Sequence, residues 1–329
     1  MLILTKEDVQ RALPMALMID ATKDAYGALS GGKAVVPQRI HLSVEPHGGM
    51  SLFMPAYLEH PENEALAVKT VSVFPSNTDR GLPIIHGAVL VLEADTGRPA
   101  ALLEGGSLTA IRTGAASGAA TDILARVDSK VAAIFGAGIQ SRTQLEAICT
   151  VRRIEKVLVF DPQPEIVEIF ISEMAGYGPV PDNIQRAATP REAVSMADVI
   201  CCATTSSVPV FEDQHLMPGV HINGVGSFTP AMQEIPPQTV ERSALFVDSR
   251  SAALSEAGDI IQPIKEGRFD EHHIQAELGE IINGEKPGRE NSDQITFFKS
   301  VGVAVQDAAA ARLALENARK RGLGQEVQL

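Results

Sequence analysis

Lys130-Val131-Ala132-Ala133-Ile134-Phe135-Gly136-Ala137-Gly138-Ile139-Gln140-Ser141 reads as an apolar strand that breaks into Gly-x-Gly-x-x-Ser and then into a helix. Such a turn can grip a dinucleotide pyrophosphate. Gly136 permits the tight bend, Gly138 lets the backbone approach the phosphates, and the amides opening the next helix meet their negative charge. Ser141 stands where a third glycine is usual, so strand and helix must pack around a hydroxymethyl group. Alone, the pattern is weak, because sheets that bind nothing also contain such turns. A second strand, Lys156-Val157-Leu158-Val159-Phe160, strengthens it by ending in Asp161, where an acidic side chain can hold both hydroxyls of an adenosine ribose.

Working outward from this motif, strands are expected near 131–136, 156–160, 185–188, 198–203, 220–225 and 244–248, with helices between most of them. This alternation specifies an α/β fold with a doubly wound parallel sheet, whose ligands sit at the carboxyl ends of the strands. The region before it differs. Thr5 with Asp8 forms a capping-box pattern ahead of two helical pieces over 6–30, joined at Pro14. Strands follow at 39–45, 50–54, 65–74, 86–94 and 98–104, the last two joined by a turn at Asp95-Thr96-Gly97. Without intervening helices they imply an antiparallel sheet. A helix rich in Ala, Gly and Ser runs from Ser107 to about 126, and a long alanine-rich helix from Val301 to about Arg321 can return to pack on the first domain. The final Gly-Gln-Glu-Val-Gln-Leu, residues 324–329, is expected to fray.

The chain has 329 residues, enough for two domains. Its net charge of −13, with no basic block, argues against nucleic acid and anionic membranes as partners. The first residues lack the pattern of a signal peptide, and no apolar run approaches the length of a membrane span. Cys149, Cys201 and Cys202 form no disulfide framework and read as core residues of a cytoplasmic protein. The eight histidines show no metal-ligand spacing, so no metal is expected. His272 and His273 read as solvated residues of a polar helix, and His86 as a structural strand residue.

Two charges stand out. Lys69 shares the period-two face of Ala67, Val71 and Val73, and reads either as a buried functional ammonium or as a charged gatekeeper on an edge strand. Arg112 lies in a helix of small residues that must pack closely, where its planar fork suits a carboxylate. Arg39, before the strand at Ile40, is a further candidate, though from its neighbours alone it reads as a surface arginine.

Several segments together resemble the ornithine cyclodeaminase and mu-crystallin family across almost the whole chain. They are Lys69 within its strand, Thr109-Ala110-Ile111-Arg112-Thr113-Gly114-Ala115-Ala116, Gly136-Ala137-Gly138-Ile139-Gln140-Ser141, Glu256-Ala257-Gly258-Asp259, and Phe298-Lys299-Ser300-Val301-Gly302-Val303-Ala304-Val305-Gln306-Asp307. The resemblance implies a homodimer. Residues 1–120 and 300–329 would form a smaller α+β substrate-binding and dimerisation domain, and residues 121–299 a Rossmann-type NAD-binding domain inserted into it. It further implies that Arg39, Lys69 and Arg112 converge on the carboxylate of an amino or imino acid beside the nicotinamide, with Lys69 also catalytic. Candidate cofactor contacts are Thr113, Gly136, Gly138, Ile139 and Gln140 on one side of the motif. Asp161, Thr204, Gly224, Lys299 and Ser300 complete the set.

Departures from the cyclodeaminase pattern choose among the family's chemistries. If Pro230 and Glu234 set the register, Phe228 stands where that enzyme has an aspartate, and Leu52 and Phe53 precede Met54-Pro55 where it has a glutamate two residues before the pair. The expected activity is therefore NAD(H)-dependent oxidation or reduction at the C–N bond of a small 2-imino or 2-amino acid, such as pyrroline-2-carboxylate or alanine/pyruvate. Cyclodeamination of ornithine, and a mu-crystallin-like binding protein with little turnover, are the alternatives.

Overall fold

A computed structural model describes residues 1–59 and 64–328. They form two compact units, Met1–Arg112 with Val303–Leu329, and Thr113–Gly302.

The chain opens with β1 (Leu2–Leu4), α1 (Lys6–Ala12) and α2 (Met15–Ser30). The expected capping box is present: Thr5 Oγ accepts from the Asp8 amide, and the Asp8 carboxylate accepts from the Thr5 amide at 3.1 Å. Pro14 separates the helices, since it cannot donate within a continuous one. Next come β2 (Ala34–Val35), β3 (Ile40–Val44), β4 (Gly49–Leu58), β5 (Ala65–Val73), β6 (Ile85–Leu92) and β7 (Pro99–Glu104). Gly97 closes the turn between the last two at φ +71°, its amide donating to the Glu93 carbonyl at 2.8 Å. α3 (Gly105–Leu124) follows, and the chain passes into the second unit after Arg112.

That unit is built on β8 (Val131–Phe135), α4 (Ile139–Val151), β9 (Lys156–Phe160), α5 (Pro164–Met174), β10 (Ile184–Arg186), α6 (Pro190–Val194), β11 (Val199–Cys202) and β12 (His221–Gly224). It continues with α7 (Pro237–Arg242), β13 (Ala244–Val247), α8 (Arg250–Glu256), α9 (Gly258–Lys265), β14 (Ile274–Glu277), α10 (Leu278–Ile282) and β15 (Thr296–Lys299). The strands run β10-β9-β8-β11-β12-β15-β13-β14, with parallel pairing throughout. The order of strand addition reverses between β8 and β11, with β9 and β10 on one side and β11 and β12 on the other, so a ligand crevice is expected above that junction. The six expected strands are present. β14 and β15 were not expected: Thr296-Phe297-Phe298-Lys299 is buried on both faces and carries no alternation to betray it. His272 and His273 lie in a 3₁₀ turn rather than a polar helix. His273 stacks on Phe269 at 4.5 Å and its Nε2 lies 2.8 Å from the Val240 carbonyl, while His272 is exposed.

The last elements, α11 (Ala304–Arg321) and β16 (Gln325–Glu326), return to the first unit. α11 packs against α2, β4 and β5; its alanines, from Ala308 to Ala311 with Ala314 and Ala318, let it approach closely enough to be nearly solvent-free. The first sheet runs β16-β1-β7-β6-β5-β4-β2, with β3 also on β4. It is mixed, not antiparallel: β1 pairs with β7 in parallel, Leu2 opposite Ala101 and Leu4 opposite Leu103. The tail does not fray either, because Gln325 and Glu326 pair with Ile3 and Leu2. Both strands are too short to show a period, and β16 is polar. All three cysteines are buried and unbridged.

Candidate active site

In the first unit, Lys69 sits on a central strand, with Met54 of β4 on one side and Val89 of β6 on the other. That removes the gatekeeper reading, which needs an edge. α11 packs on this face and brings Asp307 in its first turn, where a carboxylate favours the helix dipole. Lys69 Nζ lies 2.8 Å from Asp307 Oδ1 and 2.7 Å from Oδ2, and Arg112 Nε lies 3.0 Å from Oδ1. Gln306 binds the arginine from both sides, its Oε1 accepting from Arg112 Nη1 at 3.3 Å and its Nε2 donating to the Arg112 carbonyl at 3.3 Å.

Lys69, Arg112 and Asp307 are all buried. Two cations and one anion leave this cluster one positive charge in excess, and a carboxylate-bearing ligand would neutralise it. Nη2 of Arg112 has no partner among the described residues, so one edge of its fork remains for such a group. Burial, and then the neighbouring Arg112 charge, push the Lys69 ammonium down to about 8, against the pull of Asp307; Arg39 adds to the lowering. Arg39 itself is half-buried just ahead of β3. In that strand His41 pairs with Leu52, and Leu52 pairs with Val71, so His41, Leu52 and Met54 share the face of Lys69.

In the second unit, Gly136 takes φ +85° after β8, and its amide donates to the Phe160 carbonyl at 2.9 Å. A Cβ there would meet the Ala203 carbonyl at 2.9 Å, so the turn needs glycine on both counts. Gly138 is the N-cap of α4 with no side-chain cap, and a Cβ built on it would meet nothing within 4 Å. Gly138 thus leaves open space beside the first turn of α4, whose opening amides have no partner within the helix, as a pyrophosphate requires. Ser141 compensates for the missing glycine by donating from Oγ to the Gly136 carbonyl at 2.5 Å, which braces the turn. Arg142 braces it again, with Nη1 donating to the carbonyls of Ala137 at 3.0 Å and Gly138 at 2.8 Å. Asp161, at the end of β9, accepts from the Ala137 amide at 3.0 Å and the Gln163 amide at 2.9 Å, one through each oxygen. Each oxygen keeps a lone pair for a ribose hydroxyl. These residues fit a dinucleotide.

The remaining expected contacts are scattered through this unit. Thr113 is buried in α3, Thr204 follows β11, and Gly224 ends β12 where a Cβ would strike the Phe297 ring. Lys299 is fully buried 3.2 Å from Asp259, and Ser300 Oγ donates to Asp248 at 2.9 Å, so both side chains are taken up internally. Phe228 is half exposed. Glu234 is buried, and its two oxygens accept three backbone amides, from Thr204, Gly226 and Ser227. Among the described residues no group of three or more His, Cys, Asp or Glu is gathered as a metal would need, and no helix is long and apolar enough to cross a membrane. Asp307 is not among the residues singled out from sequence, and Glu234 served there to set the register of its loop. The signal for Asp307 was there: it is a lone acid at the head of an alanine run, the same anomaly that marks Arg112.

Comparison with known proteins adds four findings. A profile of the ornithine cyclodeaminase/mu-crystallin family matches residues 1–322. A Delta(1)-pyrroline-2-carboxylate reductase of Bacillus cereus is 40% identical over 329 residues, covering 100% of both chains. The structure of Thermococcus litoralis Delta(1)-pyrroline-2-carboxylate reductase in complex with NADH and L-proline is similar with a TM-score of 0.94 at 47% identity, covering 99% of this chain and 100% of that one. An archaeal alanine dehydrogenase dimer with bound NAD is similar with a TM-score of 0.91 at 31% identity, covering 100% of this chain and 99% of that one.

Proposed function

Because the chain belongs to the ornithine cyclodeaminase/mu-crystallin family, we infer that it is an NAD(H)-dependent oxidoreductase of small 2-imino or 2-amino acids, and we propose reduction of pyrroline-2-carboxylate to proline as its reaction. The observation that carries the substrate reading is the buried Lys69–Asp307–Arg112 cluster with its excess positive charge. Arg112 grips the substrate carboxylate through its open edge, with Arg39 adding positive charge at the approach. Lys69, aligned by Asp307, holds a proton at the imine nitrogen, so that C2 becomes more electrophilic. NADH, when bound, supplies the hydride that C2 accepts. The balance is ketimine, NADH and one proton in, proline and NAD out. Such positioning can lower a barrier by roughly 7–11 kcal/mol. The first unit serves the substrate and the second the cofactor in this reading, through Gly136, Gly138 and Asp161.

Cyclodeamination needs a group to take a proton from the distal amine of ornithine. Leu52 and Phe228 offer none, and the Glu234 carboxylate already accepts three amides. Steady NADH consumption is expected with pyrroline-2-carboxylate, and little proline or ammonia from ornithine with NAD. Efficient release of both from ornithine would overturn the reading. Ligand binding without turnover would make this a binding protein.

NADH is expected to exceed NADPH in kcat/KM by at least about tenfold, the ratio that roughly 1.4 kcal/mol of discrimination produces. Asp161 would repel a 2′-phosphate; Arg152 and Arg153 precede β9 and are poorly placed to relieve it, and Arg152 is occupied by Asp122 and the carbonyls of Ala125 and Arg126. Similar kcat/KM for the two cofactors would count against Asp161 as the ribose ligand.

We also propose that the chain works as a homodimer through its first sheet. The face opposite Lys69 carries Phe53, Pro55, Leu66, Val68 and Leu90, all half-buried, and continues into exposed Ile40 and Leu42 on β3. β3 pairs with β4 alone among the described residues, so it also presents an open edge. Light scattering at micromolar concentration should give twice the chain mass, and Leu42→Asp should shift it toward the single chain. A monomeric wild type would remove this proposal.

A further inference from the structure

Resting on the cofactor reading above, the geometry points to Glu234 as a positioning residue for the nicotinamide half of the dinucleotide. It would act by clamping together the loops that follow β11 and β12. Oε1 accepts from the Thr204 amide at 2.5 Å, in the first loop, while Oε2 accepts from the Gly226 amide at 2.6 Å and the Ser227 amide at 2.9 Å, in the second. One carboxylate therefore joins two segments that β-strand pairing leaves behind at Cys202 and Gly224. The loops are in close contact: a Cβ on Gly226 would collide with the Thr204 carbonyl and with Glu234 itself.

Glu234 is held in turn. Asp259 Oδ1 accepts from the Glu234 and Ile235 amides at 2.7 and 3.0 Å, and its Oδ2 lies 3.2 Å from Lys299 Nζ. Ser227 Oγ accepts from the Asp259 amide at 3.2 Å and donates to the Met232 carbonyl at 2.9 Å, closing the circuit. Burial pushes the Glu234 carboxyl up to about 6, with Lys299 opposing, so at neutral pH it is an anion able to accept from all three amides. A buried carboxylate with this many partners is an expensive way to tie two loops unless their positions matter.

Location says why they would matter. The Gly136 turn and Asp161 belong to β8 and β9, on one side of the sheet's reversal, and suit the pyrophosphate and adenosine. The two clamped loops follow β11 and β12, on the other side, where the second half of a dinucleotide lies. The loop after β11 abuts the Gly136 turn, with Ala203 and Thr204 next to the glycine.

The test separates the two halves of the cofactor. In Glu234→Gln, the amide group can accept through only one oxygen and turns N–H toward N–H in the other loop. NADH should bind at least about tenfold more weakly, as loss of a charge-assisted hydrogen bond implies, while ADP-ribose binds within about twofold of wild type by calorimetry. The chain has no tryptophan, so the NADH arm can be read from NADH fluorescence without protein background. In the wild-type protein, hydrogen exchange at the Thr204, Gly226 and Ser227 amides should slow more with NADH than with ADP-ribose, a measurement that needs no variant to fold. Equal loss of both ligands, no loss of either, or identical protection by both would overturn the assignment. A wild type that binds neither ligand would instead defeat the cofactor reading.

Discussion

Lys69→Ala is expected to lose reductase activity by a factor of roughly 10²–10⁴, the range that removal of a positioned acid–base group produces, while NADH affinity stays at its wild-type value. The residue lies in the first unit, where it touches Asp307, and the dinucleotide motif belongs to the second. Its titration gives the companion result. Ketimine reduction requires the protonated ammonium, and burial beside Arg112 brings that group down to about 8. The reductive kcat/KM should therefore hold below that pH and fall about tenfold per unit above it. Proline oxidation needs the neutral amine to take the proton and should rise over the same interval. A reductive profile flat well past pH 8, or an alanine variant with near-wild-type kcat, would move the proton donor to another group.

Asp307→Ala is expected to lower folding stability by about 3–5 kcal/mol, the cost of leaving buried charge without its counterion. Both Lys69 Nζ and Arg112 Nε lose their anion in this variant, and both side chains are almost entirely buried. Lys69 would relieve part of the cost by shedding its proton, so the loss should be smaller at pH 9 than at pH 6, while Arg112 stays charged at both. Urea denaturation at the two pH values checks this. A loss below about 1 kcal/mol at pH 6 would mean that Lys69 is already neutral in the folded protein and that Asp307 serves Arg112 alone.

The dinucleotide unit was the most legible part of the chain, because its strands alternate with helices and Gly136 and Gly138 break the first of them at a defined place. Two strands escaped notice there: β14 is only four residues long, and Thr296-Phe297-Phe298-Lys299 is buried throughout, so its position between β12 and β13 leaves no period in the sequence. In the first unit, parity placed Lys69 on a face with Ala67 and Val71, yet only strand pairing distinguished a central position from an edge. Arg112 was visible as an isolated charge among small residues. Its counterion was not paired with it, because Asp307 arrives on the returning helix and proximity across so many residues follows from topology. Glu234 is a different case. Its partners are main-chain amides, which every residue possesses, so no side-chain pattern could announce them.

The interrupted layout of the first unit sets an order of events during synthesis. Residues 113–302 are contiguous, so the dinucleotide unit has all its strands once β15 has left the ribosome. The first unit is begun earlier and completed later, since α11 covers β4 and β5 and carries Asp307. Until that helix emerges, Lys69 and Arg112 have no anion to close upon, and the nascent sheet stays hydrated around them. The portion of the chain made first is thus the last to become dry.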